Sequence, residues 1–201
     1  MNTSKSEQDT GALKAENLSN IVTSPEGMLN ILELDRLQVS LGERIAIIGA
    51  SGAGKSTLHG LVAGLDLPSS GMVWLGESEL TALDEDGRAA LRADEVGFVF
   101  QSFHLIPSLT AIENVMLPLE LASHDQPREA AMYALESVGL RERAGHYPRQ
   151  LSGGEKQRVA IARAYVIQPT VLFADEPTGN LDHQTGETVI EILFRMNREY
   201  G

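Results

Sequence analysis

Eight consecutive residues, Gly49-Ala50-Ser51-Gly52-Ala53-Gly54-Lys55-Ser56, carry the pattern GxxxxGK[ST]. Glycines at that spacing let a backbone curl around an anion with its N–H groups pointing inward, and the positive end of a following helix adds to that field. Lys55 is then placed for the outer phosphates of a nucleoside triphosphate and the Ser56 hydroxyl for Mg2+, with Thr57 joining the same phosphate-binding set. A second constellation closes an apolar run: Val171-Leu172-Phe173-Ala174 leads into Asp175-Glu176. A strand that ends in two carboxylates delivers them where open parallel sheets bind their ligands. Asp175 suits Mg2+ held through water, because that ion keeps much of its hydration, and Glu176 suits a general base acting on an attacking water. Alone, an acidic pair before Pro177 is more often a solvated turn; in a chain with a phosphate loop the catalytic reading prevails.

A third group, Leu151-Ser152-Gly153-Gly154-Glu155, is another glycine-rich helix start and by the same physics another anion site. Two such ends in one chain suit two copies arranged head to tail, each covering the nucleotide held by the other. The alternative is an N-capping serine with glycines for close packing, and both readings stand at this point.

These groups need elements to position them. Short apolar alternations over residues 13–39 predict strands, broken by the turn-forming Ser24-Pro25-Glu26-Gly27. The β-branched run 44–49 predicts a buried strand feeding the phosphate loop, and 56–65 the helix leaving it. Residues 72–75, 96–100 and 171–174 predict further strands. Helical periodicity predicts 111–121 behind a Thr110 cap, ended or kinked by Pro118, and 127–138 from Pro127 to a stop at Gly139. It also predicts 157–167, stopped by Pro169, and 187–198. Residues 1–11 have the composition of a disordered tail.

The 201 residues make one ordinary domain. A formal charge of −12 argues against nucleic acid as a partner while leaving room for a local phosphate site. With no cysteine, disulfides, thiolate zinc and thiol catalysis are excluded. No stretch approaches the ~20 apolar residues of a membrane helix, and the first eleven residues lack a signal-peptide core, so any membrane role comes through a partner.

The order of phosphate loop, Gln101, LSGGE, acidic strand end and Gly179-Asn180-Leu181-Asp182 resembles the ATPases of ABC transporters over nearly the whole chain after the tail. Phe98-Val99-Phe100-Gln101-Ser102-Phe103 and the run 172–182 are similar to the branch that releases lipoproteins and exports macrolides. The resemblance implies an α/β fold. Its P-loop NTPase core, of mixed and parallel sheet, covers 12–101 and 151–201, with an antiparallel β region at the N-terminus and a helical subdomain inserted at 102–150. It implies a Mg-ATP hydrolase in which Gln101 touches Mg2+ and the attacking water and senses a membrane partner through that insert. It further implies that Ser152, Gly153, Gly154 and Gln157 face the nucleotide across an ATP-dependent head-to-tail dimer, while Asp182 aligns the two sites. A transmembrane permease, with this chain peripheral on the cytoplasmic face of the membrane, completes the expectation; an ABC ATPase that clamps a membrane or assembly complex without transport is the alternative.

Two departures from the family pattern matter. Ile21-Val22-Thr23 offers no aromatic for the base, so base contact is expected to be apolar and weaker. The family also places a histidine after the next strand, and the sequence ends at Tyr200-Gly201 ahead of it. This implies missing sheet strands and weakened turnover. None of His59, His104, His124, His146 or His183 has the required context: His59 is expected to be structural and His183 solvated.

Overall fold

The computed structural model describes residues 11–24, 27–50 and 52–200. Of the tail expected over 1–11, residues 1–10 lie outside the described residues, as do Pro25-Glu26 at the centre of the turn, Ser51 of the phosphate loop and Gly201, while Gly11 belongs to the first strand instead. The chain divides into two compact units at Leu83/Asp84.

In the first unit, β1 (Gly11–Ser24) and β2 (Gly27–Ser40) pair antiparallel from Ser24↔Gly27 down to Gly11↔Ser40. β3 (Ser70–Leu75) adds to the other edge of β1 and the short β4 (Ser78–Glu79) to β3, giving the order β2-β1-β3-β4. This is the antiparallel region the sequence implied. Period-two alternation puts Leu13, Ala15, Leu18, Val73 and Leu75 inside, together with Leu80 and the Leu58, Leu61 and Val62 side chains of α1 (Lys55–Val62). β1 bulges between Glu16 and Ser19, where Asn17 takes φ 51°. Gly71, at φ 97°, passes so close to the Asn17 carbonyl that a Cβ there would overlap it.

One expected element is absent. Residues 44–49 form no strand, and Ile45, Ile47 and Ile48 are 46%, 36% and 93% exposed. Strand propensity is expressed when a backbone finds a ladder and its side chains a buried face. This run pairs with no strand among the described residues.

The second unit begins with α2 (Glu85–Glu95), which periodicity did not predict. Its start is polar: Asp84 accepts from the Gly87 N–H at 2.8 Å, and Glu85 accepts from Arg88 and Arg92. α2 runs directly into β5 (Val96–Phe100), which pairs in parallel with β6 (Val171–Asp175) from Val96↔Val171 to Phe100↔Asp175. Gly97 lies against the Ala164 carbonyl at 2.7 Å from where a Cβ would be, so only glycine fits that strand under α5 (Gly153–Tyr165).

The remaining helices are α3 (Ala111–Leu121), α4 (Pro127–Ser137) and α6 (His183–Tyr200). Thr110 caps α3 through a reciprocal box with Glu113, and Gly139 follows α4 at φ 71°, as expected. Pro118 stays inside α3; near the helix end it removes one N–H, and its own carbonyl accepts from Ala122 at 3.0 Å. Helices of the 102–150 stretch pack into one core with α5 and α6: Val115, Leu135, Ile161, Val189 and Met196 are buried together. No helix among the described residues is long and apolar enough to cross a membrane.

Candidate functional site

In the first unit the phosphate loop has the backbone its sequence demands. Gly52 and Gly54 both take φ 80°, and a Cβ at Gly54 would stand 3.0 Å from the Ile31 carbonyl. Gly54 caps α1 without any side-chain bond, so among the described residues no side chain caps the first N–H groups of that helix. Lys55 folds back across the loop, its Nζ donating to the Gly49 and Ala50 carbonyls at 2.8 and 2.9 Å. Ala53 N–H closes a turn onto Ala50. Ser56 is exposed and Thr57 half-buried at the helix start. A glycine-lined curve, one ammonium and an uncapped helix end fit a polyphosphate.

In the second unit the parallel register does the positioning. Because Phe100 pairs with Asp175, the next residues, Gln101 and Glu176, leave adjacent strands at the same carboxyl edge. Phe98, Phe100 and Phe173 stack beneath, with ring centroids 5.5 and 5.7 Å apart. Glu176 is a non-glycine residue at φ 43°, a left-handed conformation that stores strain at the tip of the acidic strand. Gln101 lies against the turn after it. Its Nε2 donates to Asn180 Oδ1 at 3.4 Å, and Asn180 Nδ2 donates to the Gln101 carbonyl at 3.0 Å. Asp175, Glu176 and Gln101 thus form an acidic edge with an amide beside it, a donor set suited to a hydrated hard cation and a polarised water.

The glycine-rich start of α5 satisfies itself. Ser152 Oγ accepts from the Glu155 N–H at 3.2 Å and the Glu155 carboxylate accepts from the Ser152 N–H at 2.8 Å. Arg143 pairs with Glu155 at 3.0 Å. The Ser152 N–H first, then the Ser152 hydroxyl and the Arg143 guanidinium, hold the Glu155 carboxyl below its ordinary value of 4.5. A Cβ at Gly153 would stand 3.3 Å from a Leu181 methyl, and one at Gly154 would overlap the Thr185 methyl. The capping-and-packing alternative is therefore realised here, while the Ser152 side chain stays exposed. A cleft of ≈ 300 Å³ opens between the starts of α5 and α6, lined by Ser152, Gly154, Glu155 and Thr185.

Gln157 differs from expectation. Its side chain is 0% exposed and donates to the Pro177 carbonyl at 2.7 Å, so it ties α5 to the turn after the acidic strand rather than facing outward. Asp182 is exposed and starts α6, accepting from Thr185 N–H at 3.1 Å and Thr185 Oγ1 at 2.6 Å. These bonds hold its carboxyl below the usual range. His59 is half-buried on α1. His183 is 87% exposed in its side chain, as expected, with Glu187 3.6 Å away.

Two supporting residues escaped the sequence reading. Asn114, 0% exposed on α3, accepts from the Ile106 N–H and donates to the Ile106, Leu109 and Thr110 carbonyls, fixing the loop that follows Gln101. Arg163 on α5 donates to the His104 and Phe103 carbonyls at 2.7 and 3.0 Å. Both of those residues have positive φ, at 48° and 61°, and burial lowers the guanidinium pKa. A polar residue at an apolar-periodic position was the available signal for each.

A phosphate loop, a parallel strand pair ending in an acidic edge and a second glycine-led helix start define a P-loop nucleotide hydrolase. The model of the ABC transporter family matches residues 32–179, and the chain belongs to that family, as an ATPase subunit. It is 53% identical to the "Uncharacterized ABC transporter ATP-binding protein YbbA" of Escherichia coli K12, over 94% of this chain and 84% of that protein. It is 48% identical to the "Lipoprotein-releasing system ATP-binding protein LolD" of Pseudomonas syringae pv. tomato, with the same coverages. Among solved structures it is similar to the ATP-binding cassette MJ0796, a dimer in a post-hydrolysis state bound to ADP and Pi. The TM-score is 0.82 and the identity 40%, over 93% of this chain and 83% of that one.

Proposed function

We propose that this chain hydrolyses Mg-ATP as one of two copies arranged head to tail, and that their ATP-driven closure works a transmembrane permease. Gly49, Ala50, Ser51, Gly52, Ala53, Gly54, Lys55, Ser56 and Thr57 bind the triphosphate. Ser56, Gln101 and Asp175 hold Mg2+, which when bound neutralises charge on the phosphate oxygens. Glu176 takes a proton from the attacking water, and Gln101 orients that water. Ser152, Gly153, Gly154 and Asp182 serve the partner copy, with Gln157 positioning their helix. The dimeric MJ0796 cassette supports the two-copy reading. The LolD relatives of lipoprotein-releasing systems favour extraction or export of a substrate through a membrane protein, with this chain on the cytoplasmic face.

The observation that carries the reading is the parallel register that sends Gln101, Asp175 and Glu176 off one sheet edge. Glu176→Gln keeps the side chain's size and loses its basicity. It is expected to leave ATP binding intact while hydrolysis falls by about 10²–10⁴-fold, the usual share of a general base. Hydrolysis at the unsubstituted rate rejects the base. Affinity capture from membranes is expected to bring down a multi-span protein; capture of only soluble assembly factors rejects the permease.

A further inference from the structure

We propose that Asn180 is a positioning residue for Gln101, and that Gly179 is the space that lets it act. The inference rests on the assignment of Gln101 to the reacting water and magnesium.

The amide of Asn180 uses both of its faces on one neighbour. Nδ2 donates to the Gln101 backbone carbonyl at 3.0 Å, and Oδ1 accepts from Gln101 Nε2 at 3.4 Å. One side chain therefore fixes where the main chain goes as it leaves β5 and where the glutamine amide points. Only a carboxamide supplies a donor and an acceptor together in this way; aspartate keeps the acceptor and loses the donor. The glycine ahead of it leaves the space: a Cβ at Gly179 would lie 2.6 Å from Gln101 Nε2, so a larger residue there would push the glutamine amide from this position.

The support of Asn180 is itself braced. Gly179 N–H bonds the Glu176 carbonyl and Leu181 N–H the Thr178 carbonyl, each at 3.0 Å. Gln157 pins Pro177 from α5. The turn that holds Gln101 thus starts at Glu176 and ends at Asp182, the cap of α6. On the far side of Gln101, Arg163 grips the carbonyls of Phe103 and His104. Gln101 is the short span between two anchors, and of the two only Asn180 touches its side chain. A displacement of the 178–182 turn is carried to Gln101 by the same two hydrogen bonds.

The test compares Asn180→Ala, Asn180→Asp and Gly179→Ala with the unsubstituted chain. Asn180 and Gly179 are exposed, so folding is not at stake. First, side-chain amide hydrogen exchange of Gln101 is followed by NMR in the nucleotide-free protein, its resonance identified by loss in Gln101→Ala. Asn180→Ala is expected to speed this exchange by about twofold to tenfold, the range of one modest hydrogen bond, with Asn180→Asp between. Second, steady-state hydrolysis is expected to show kcat lowered by a similar factor with KM for ATP little changed. Unaltered exchange overturns the proposal whatever the ATPase shows. Altered exchange with an unchanged kcat, or a loss confined to KM, overturns it too. If the unsubstituted chain fails to hydrolyse ATP, the functional reading falls, and the exchange measurement still decides whether Asn180 holds Gln101.

Discussion

The chain contains two glycine-led helix starts that look alike in sequence and are built in opposite ways. At α1, Gly54 sits left-handed with no side-chain cap bond, and the Lys55 ammonium lies across the loop. At α5, Ser152 and Glu155 close a capping box, Arg143 backs the carboxylate, and the glycines are occupied by Leu181 and Thr185. A helix end that its own side chains satisfy contributes to stability whatever else it touches; one left unsatisfied keeps its N–H groups for a ligand. Substitutions at the first should therefore be read in nucleotide binding and at the second in stability.

The sharpest break of that contrast is Lys55→Ala. Among the described residues it removes the one ammonium bonded to the phosphate loop, in a segment that contributes little to the core. Hydrolysis is expected to fall by about 10²–10³-fold, as when one preorganised electrostatic donor is lost, with the thermal midpoint little changed. A large drop in midpoint with binding retained would show that Lys55 is there to hold its own loop.

Gly154→Ala should behave the opposite way. The new methyl meets the Thr185 side chain, whose hydroxyl is bonded to Asp182 at 2.6 Å and cannot swing aside freely. A loss of about 1–3 kcal/mol is expected from such overpacking. Thr185→Ser in the same chain removes the offending methyl, keeps the hydroxyl and should restore most of it. Denaturant unfolding of the single and double variants measures both, and failure of the rescue rejects this packing.

The same contrast explains what could be read from sequence. Element types came through where periodicity and turn residues agree: β5, β6, α3 and α4 lie within a residue or so of expectation. Both α5 and α6 begin about four residues earlier than the periodicity suggested, at Gly153 and His183. Of the residues just ahead, Ser152 caps its helix, one of the two readings the sequence leaves open, and Asp182, expected to align the two sites, also caps its own. The parallel register of β5 and β6 was not legible, although it is what sets Gln101 beside Glu176. Gln157 was placed by family pattern on an outward face and is buried instead. The β-branched run 44–49 has strand propensity but no paired strand among the described residues, and α2 is a helix built from caps and ion pairs with only Arg88 buried.

A smaller effect separates capping from binding at Ser152. Ser152→Ala removes the acceptor for the Glu155 N–H but leaves the glycine packing. About 1 kcal/mol of stability should be lost, the usual value of an N-cap. Alanine leaves the adjacent backbone donors in place, so a loss of ATP-dependent dimerisation beyond what the stability change accounts for would assign the hydroxyl to the partner's nucleotide as well.

The smallest expected effect is a pH dependence carried by Glu155. Its carboxyl is held below 4.5 in the folded chain by the Ser152 N–H and by Arg143. A group whose folded pKa is depressed contributes stability that is present above its unfolded pKa and is lost as pH falls through the folded value. Acidification from neutrality to below that range should therefore cost the unsubstituted chain more stability than Glu155→Gln, and the two unfolding curves should converge at the acid end. The acid end is also where Asp182, Glu85 and Glu113, all depressed in the same direction, release their own contributions. Only the difference between the two chains isolates Glu155, and parallel curves across the whole range would mean that the carboxylate at the start of α5 does not hold that helix.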